Sequence, residues 1–149
     1  MRIVAECQDL GGGLIVSSLF AENCRGAVVR TVTDFLLEFV SELSLSDLAS
    51  VEGMLSRESQ LDGGDIPLFE MNGKTAWIRT QSGFPPALLV ANEYAPDKSD
   101  VDAAPKEFDF GLVRASLSVW RSLREAELEF GREGVIGSRF EIVHEPDSC

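Results

Sequence analysis

Between Val28 and Leu43 the apolar residues fall at steps of three and four: Val28, Val32, Phe35, Leu36, Phe39, Val40 and Leu43. An α-helix repeats every 3.6 residues, so this spacing predicts one apolar stripe along a helix of about four or five turns that begins after Gly26. Such a stripe has to be covered, and the neighbouring segments are suited to it. Upstream, the apolar runs 2–7 and 14–20 flank Gly11-Gly12-Gly13, the pattern of a β-hairpin with a flexible turn. Downstream, Leu48, Val51, Met54 and Leu55 outline the inner face of a shorter helix. Ser44, three residues before Asp47, is placed to cap that helix, and Gly53 weakens it.

Asn72-Gly73 separates the runs 66–71 and 74–80 and signals a second hairpin, because both central residues of a type I′ turn need positive φ. A two-residue turn would set Phe69 opposite Ala76 and Leu68 opposite Trp77. A strand over 87–91 follows the stiff Phe84-Pro85-Pro86 corner. The stretch 94–109 reads as an acidic loop. Asp109 is then an N-cap for a long helix with Leu112, Val113, Val119, Trp120, Leu123 and Phe130 inside, ending near Gly131 and Gly134. A strand over 139–144 closes the order ββααβββαβ. The pattern predicts a single α+β domain over 1–149, its mixed or antiparallel sheet packed on two long amphipathic helices and one shorter one. A chain of 149 residues, 44% hydrophobic and 26% charged, suits a packed domain that needs no staples.

Charge restricts the partners. Twenty-five acidic against 13 basic residues give a net −12 and a pI near 4.4. Such a field repels phosphate backbones and anionic lipid, so nucleic acid and membrane surfaces are not expected partners. The candidates for a basic patch are Arg114, Arg121, Arg124, Arg132 and Arg139; most have a glutamate within four positions and read as ion-paired surface. No apolar run reaches the roughly 18–20 residues that cross a bilayer. No secretory leader is read at the N-terminus, and Cys7, Cys24 and Cys149 share no disulfide-like spacing. A cytoplasmic, thiol-reducing setting is the expectation.

Catalytic motifs are missing: no phosphate loop, dinucleotide fingerprint, Cys-x-x-Cys, His-Glu-x-x-His or nucleophile elbow. His144 is the only histidine, which excludes any site built on paired imidazoles, and it reads as a half-exposed strand residue. Cys7 and Cys24 read as small buried hydrophobes. Glu127 falls inside the long helix's apolar stripe, where Arg124 one turn away is its natural partner. The expectation is a protein that is not an enzyme and carries no catalytic residues, metal or cofactor.

One arrangement points to binding. Asp34, Glu38 and Glu42 stand at i, i+4 and i+8, a carboxylate line beside the apolar stripe with only Arg30 one turn away, and like charges at that spacing weaken a helix. Leu37 projects from the opposite flank as a contact residue. Asp97, Asp100 and Asp102 extend the acidic surface. These seven residues are expected to bind a basic protein partner, as an immunity protein or antitoxin neutralises a cationic toxin such as a nuclease. The alternative is a small acidic dimeric chaperone for a secreted effector, using Leu37, Trp77 and the Phe84-Pro85-Pro86 corner. The state is monomer or homodimer.

Overall fold

The computed structural model describes residues 1–57, 69–83, 85–92 and 104–145. β1 (Arg2–Asp9) and β2 (Ile15–Glu22) form the expected hairpin, with Arg2 opposite Glu22 and Asp9 opposite Ile15. Gly11, Gly12 and Gly13 in its turn all have positive φ, where a side chain would cost roughly 1–2 kcal/mol per residue. β7 (Arg139–Val143) pairs with the other edge of β1, giving a three-stranded sheet in the order β2-β1-β7. A second sheet is an antiparallel meander of β3 (Glu70–Asn72), β4 (Ala76–Gln81), β5 (Ala87–Asn92) and β6 (Lys106–Asp109). The helical layer holds a π-helical segment (Val32–Leu37) that runs on as α1 (Glu38–Ser41), then α2 (Leu45–Ser56) and α3 (Phe110–Gly134). The fold is α+β.

One apolar core joins both sheets to the helices. Ile3, Ala5 and Cys7 of β1 meet Leu36, Leu37, Phe39 and Val40 of the first helical stretch, Ile78, Leu88 and Val90 of the second sheet, and Leu117, Trp120 and Leu123 of α3. Ser44 caps α2 by accepting from the Asp47 amide at 3.1 Å, and Asp109 caps α3 by accepting from the Leu112 amide at 2.9 Å. Both caps stand where the sequence places them.

Five expectations are corrected. First, Leu37 is not a surface contact residue; it has no solvent exposure. The cause is the π-turn: the Glu38 amide donates back to the Thr33 carbonyl, an i to i−5 bond, and the wider turn rotates residue 37 into the core stripe. Second, the hairpin register differs: Asn72 faces Trp77, Phe69 bonds to Thr80 and the Gly73 amide bonds the Ala76 carbonyl, so the turn is at Lys74-Thr75, two residues beyond Asn72-Gly73. Third, the end of the predicted acidic loop is a strand, β6, in which Phe108 pairs with Leu88 and is buried. Fourth, Phe130 is 63% exposed, because Gly131 at φ 75° breaks the helix before the stripe returns. Fifth, Cys24 sits exposed in the turn after β2 and is disulfide-bonded; Cys7 is a buried free thiol. The thiol pattern therefore gives no support to a reducing setting. Among the described residues no helix is long and apolar enough to cross a membrane.

Leu37→Ala should lower unfolding free energy by roughly 2–5 kcal/mol in a urea titration, the cost of emptying a filled core site. A change within the error of the measurement would return Leu37 to the surface.

Candidate functional site

The carboxylate line lies on the outer side of the helical stretch 32–41, opposite Leu36 and Val40, which are buried against the sheets. Asp34 is exposed, and its one ion pair among the described residues is the long 4.0 Å contact with Arg30, itself 83% exposed. A pair of that length between solvated side chains contributes little. Glu38 is exposed one turn on. Partial desolvation first, then the Glu42 and Asp34 carboxylates, push the Glu38 carboxyl above its ordinary value. Its charge is thus resisted by the protein's own geometry.

Glu42 has a different role. Its Oε2 accepts from the Lys74 amide at 2.6 Å and the Thr75 amide at 3.3 Å, and its Oε1 accepts from the Thr75 hydroxyl. The carboxylate holds the Lys74-Thr75 turn, which accounts for its lying beyond Asn72-Gly73. Gly73 makes room for it: a Cβ there would stand 2.7 Å from Glu42 Oε2 and 2.9 Å from the Ala76 carbonyl oxygen. Glu42 is a structural clamp, and the line of exposed carboxylates shortens to Asp34 and Glu38. Asp97, Asp100 and Asp102 lie outside the described residues.

The arginines mostly behave as their spacing predicts. Arg121 pairs with Glu52 at 2.8 Å and with Glu125, and Arg124 pairs with Glu127 at 2.8 Å. Glu127 also accepts from Ser17 of β2, so this acid inside the helical stripe is a bridge between α3 and the first sheet. Arg139 contacts Glu22 at 2.7 Å, Glu141 at 3.0 Å and Glu6 at 3.4 Å, while Arg2 reaches Glu22 at 3.2 Å. Arg139 is in the row of Glu6 and reaches across to the row of Arg2 and Glu22; Val4 lies between, on the outward face yet without solvent exposure. Arg114 and Arg132 donate instead to the carbonyls of Leu55 and Ile15. These contacts tie elements together and form no open basic patch.

Sequence separation concealed one grouping. His144, just past β7, brings its Nε2 to 3.8 Å from Asp109 Oδ1 at the start of α3 and 4.0 Å from Glu145 Oε1. The only sequence signal was the unmatched histidine itself. Compared with known protein families, curated proteins and solved structures, the chain matches none.

Two outcomes test this geometry. Glu42→Ala leaves two turn amides without their acceptor and should cost roughly 1–3 kcal/mol of stability in chemical denaturation; a neutral result would mean water replaces the clamp. Glu38→Gln should act in the opposite direction. A carboxyl whose folded pKa is raised binds a proton more tightly in the native state, so its ionisation costs stability as pH climbs from about 4.5 through the raised folded value, and the deficit persists at neutrality. The glutamine variant should therefore melt higher than the parent at pH 7 and match it below the ordinary carboxylate range. Equal melting temperatures at both pH values would show that the three carboxylates do not interact.

Proposed function

We propose that this chain is an acidic binding protein that neutralises a basic protein partner, in the manner of an immunity protein or antitoxin acting on a cationic toxin such as a nuclease. The observation that carries the reading is the pair of exposed carboxylates one turn apart on one helical face, Asp34 with its long contact to Arg30 and Glu38, whose charge is disfavoured by partial burial and by the Glu42 and Asp34 carboxylates. Carboxylates that repel one another in the free protein gain more from an incoming cation than an isolated carboxylate does, and a nuclease cleft is positive because it holds phosphate. The net charge of −12 extends that attraction beyond contact distance. Asp34 and Glu38 are the proposed contacts, together with Asp97, Asp100 and Asp102; Leu37 and Glu42 serve the fold. In this reading the chain has no catalytic residues. A cytoplasmic location, as for an inhibitor guarding its own host, belongs to the same proposal, although a disulfide at Cys24 suits an oxidising compartment better.

A second reading, a dimeric chaperone for a secreted effector, has one observation in its favour. Leu10 and Leu14 at the β1–β2 tip are 61% and 57% exposed, and Leu128 and Phe130 near the end of α3 are 75% and 63% exposed. The bond from Arg132 to the Ile15 carbonyl draws those two regions together. Single exposed apolar residues are ordinary, so this reading needs a constitutive dimer to stand.

The deciding experiment captures the partner with tagged protein from the organism that encodes it, then follows association kinetics at two salt concentrations. Association should slow markedly as the Debye length falls from about 10 Å at 0.1 M toward 3 Å at 1 M, while dissociation changes less. Asp34→Lys with Glu38→Lys should weaken binding by roughly 1 kcal/mol or less if those contacts stay solvated, and by several kcal/mol if they are desolvated. A folded double variant that binds as fast and as tightly as the parent would remove the proposal, and a stable dimer in light scattering would favour the chaperone.

A further inference from the structure

The chain's only histidine ends in an unusual position. His144 follows β7 in sequence, and its side chain is turned inward, 18% exposed. Its backbone amide donates to the Met1 carbonyl at 2.9 Å, and the Met1 amine donates to the Glu145 carbonyl at 3.0 Å. These bonds fix the backbone of both residues. Gly111 in the first turn of α3 permits the close approach of the ring, because a Cβ there would lie 3.3 Å from His144 Cε1 and 3.0 Å from Asp109 Oδ1. The ring nitrogen Nε2 is buried and has no hydrogen-bond partner, yet two carboxylate oxygens face it at 3.8 and 4.0 Å. An unsatisfied buried nitrogen is costly.

We propose that Asp109, His144 and Glu145 form a binding site for a divalent transition metal, with zinc the best-suited occupant. Asp109 Oδ1, His144 Nε2 and a Glu145 carboxylate oxygen lie within 4.8 Å of one another. A cation among them would satisfy the orphaned nitrogen and screen the carboxylates from each other. Zinc is bound by nitrogen and carboxylate oxygen at about 2.0–2.2 Å, which sets tetrahedral ligand atoms roughly 3.4 Å apart, so the three groups would have to close by roughly half an ångström or more. Glu145 can supply that movement, since its side chain is 83% exposed. An imidazole donor disfavours magnesium and calcium, which take oxygen ligands. Asp109 would keep its cap on α3, accepting from the Leu112 amide while ligating, so the metal would join the start of α3 to the end of β7. The sequence argument against zinc rested on paired imidazoles, and carboxylates supply the remaining ligands here.

The test is calorimetric titration of the purified chain with zinc chloride, with melting temperature measured in parallel and a chelator added at the end. One saturable zinc equivalent and a chelator-reversible rise in melting temperature are expected for the parent. Asp109→Ser keeps an N-cap but removes the carboxylate, and His144→Gln removes the ring; each should weaken zinc binding at least about tenfold while circular dichroism shows the fold intact. Magnesium should produce neither signal. The proposal is overturned if the parent takes up no zinc saturably, or if both variants bind it as tightly as the parent, which would place the ion on unrelated surface acids.

Discussion

The helical stretch from Val32 to Ser41 must be buried on several sides at once. It packs on β2 of the first sheet, on β4 and β5 of the second, and on α3. A regular α-helix with a narrow apolar stripe can serve one such surface, or two that adjoin. Here Leu36, Leu37, Phe39 and Val40 are all fully or almost fully buried, which is a wider inner face than 3.6-residue periodicity provides. The π-turn supplies the width, and Leu37 joins the core at the expense of regular hydrogen bonding. This widened element and α3, which reaches strands of both sheets, together let the two sheets share one core.

That widening also determines where charge can go. With the inner face enlarged, Asp34 and Glu38 are confined to what remains on the outside, where the ion pair among the described residues is the long one between Asp34 and Arg30. One turn later Glu42 escapes the same crowding by turning onto the β3–β4 amides. Three acids with the same spacing in sequence thus meet two fates. The difference is the presence of backbone donors within reach of the third.

Local rules were legible wherever the cause was local. The β1–β2 hairpin, the Ser44 and Asp109 caps, the inner face of α2 and the final strand follow from spacing and turn chemistry alone, since hydrogen bonds three residues apart and alternating burial leave direct marks in the chain. What was not legible depended on distant partners. The shifted β3–β4 turn needs a carboxylate 32 residues away from Lys74, and the π-turn needs three packing surfaces. β6 reads as loop because its exposed positions are charged, and only Phe108 inside hints at a covered face. His144 and Asp109 are neighbours through the docking of β7, which no short-range pattern reports.

The distribution of acids therefore matters more than their number. On the outward face of the first sheet Glu6, Glu22 and Glu141 are held by Arg2 and Arg139, whose side chains also roof Val4; these charges are spent on cohesion, and an incoming cation would have to displace an arginine to reach them. Glu127 is committed to Ser17 and Arg124, and Glu52 to Arg121. Asp34, held only by the long Arg30 contact among the described residues, and Glu38 are less committed. They lie at the surface, and partial burial with the Glu42 and Asp34 carboxylates disfavours the Glu38 charge. A surface chosen for solubility alone would be better served by dispersing two such groups, because like charges one turn apart oppose the helix that carries them. In the proposed reading it is that helical face, rather than the net charge of the chain, that meets a cationic partner.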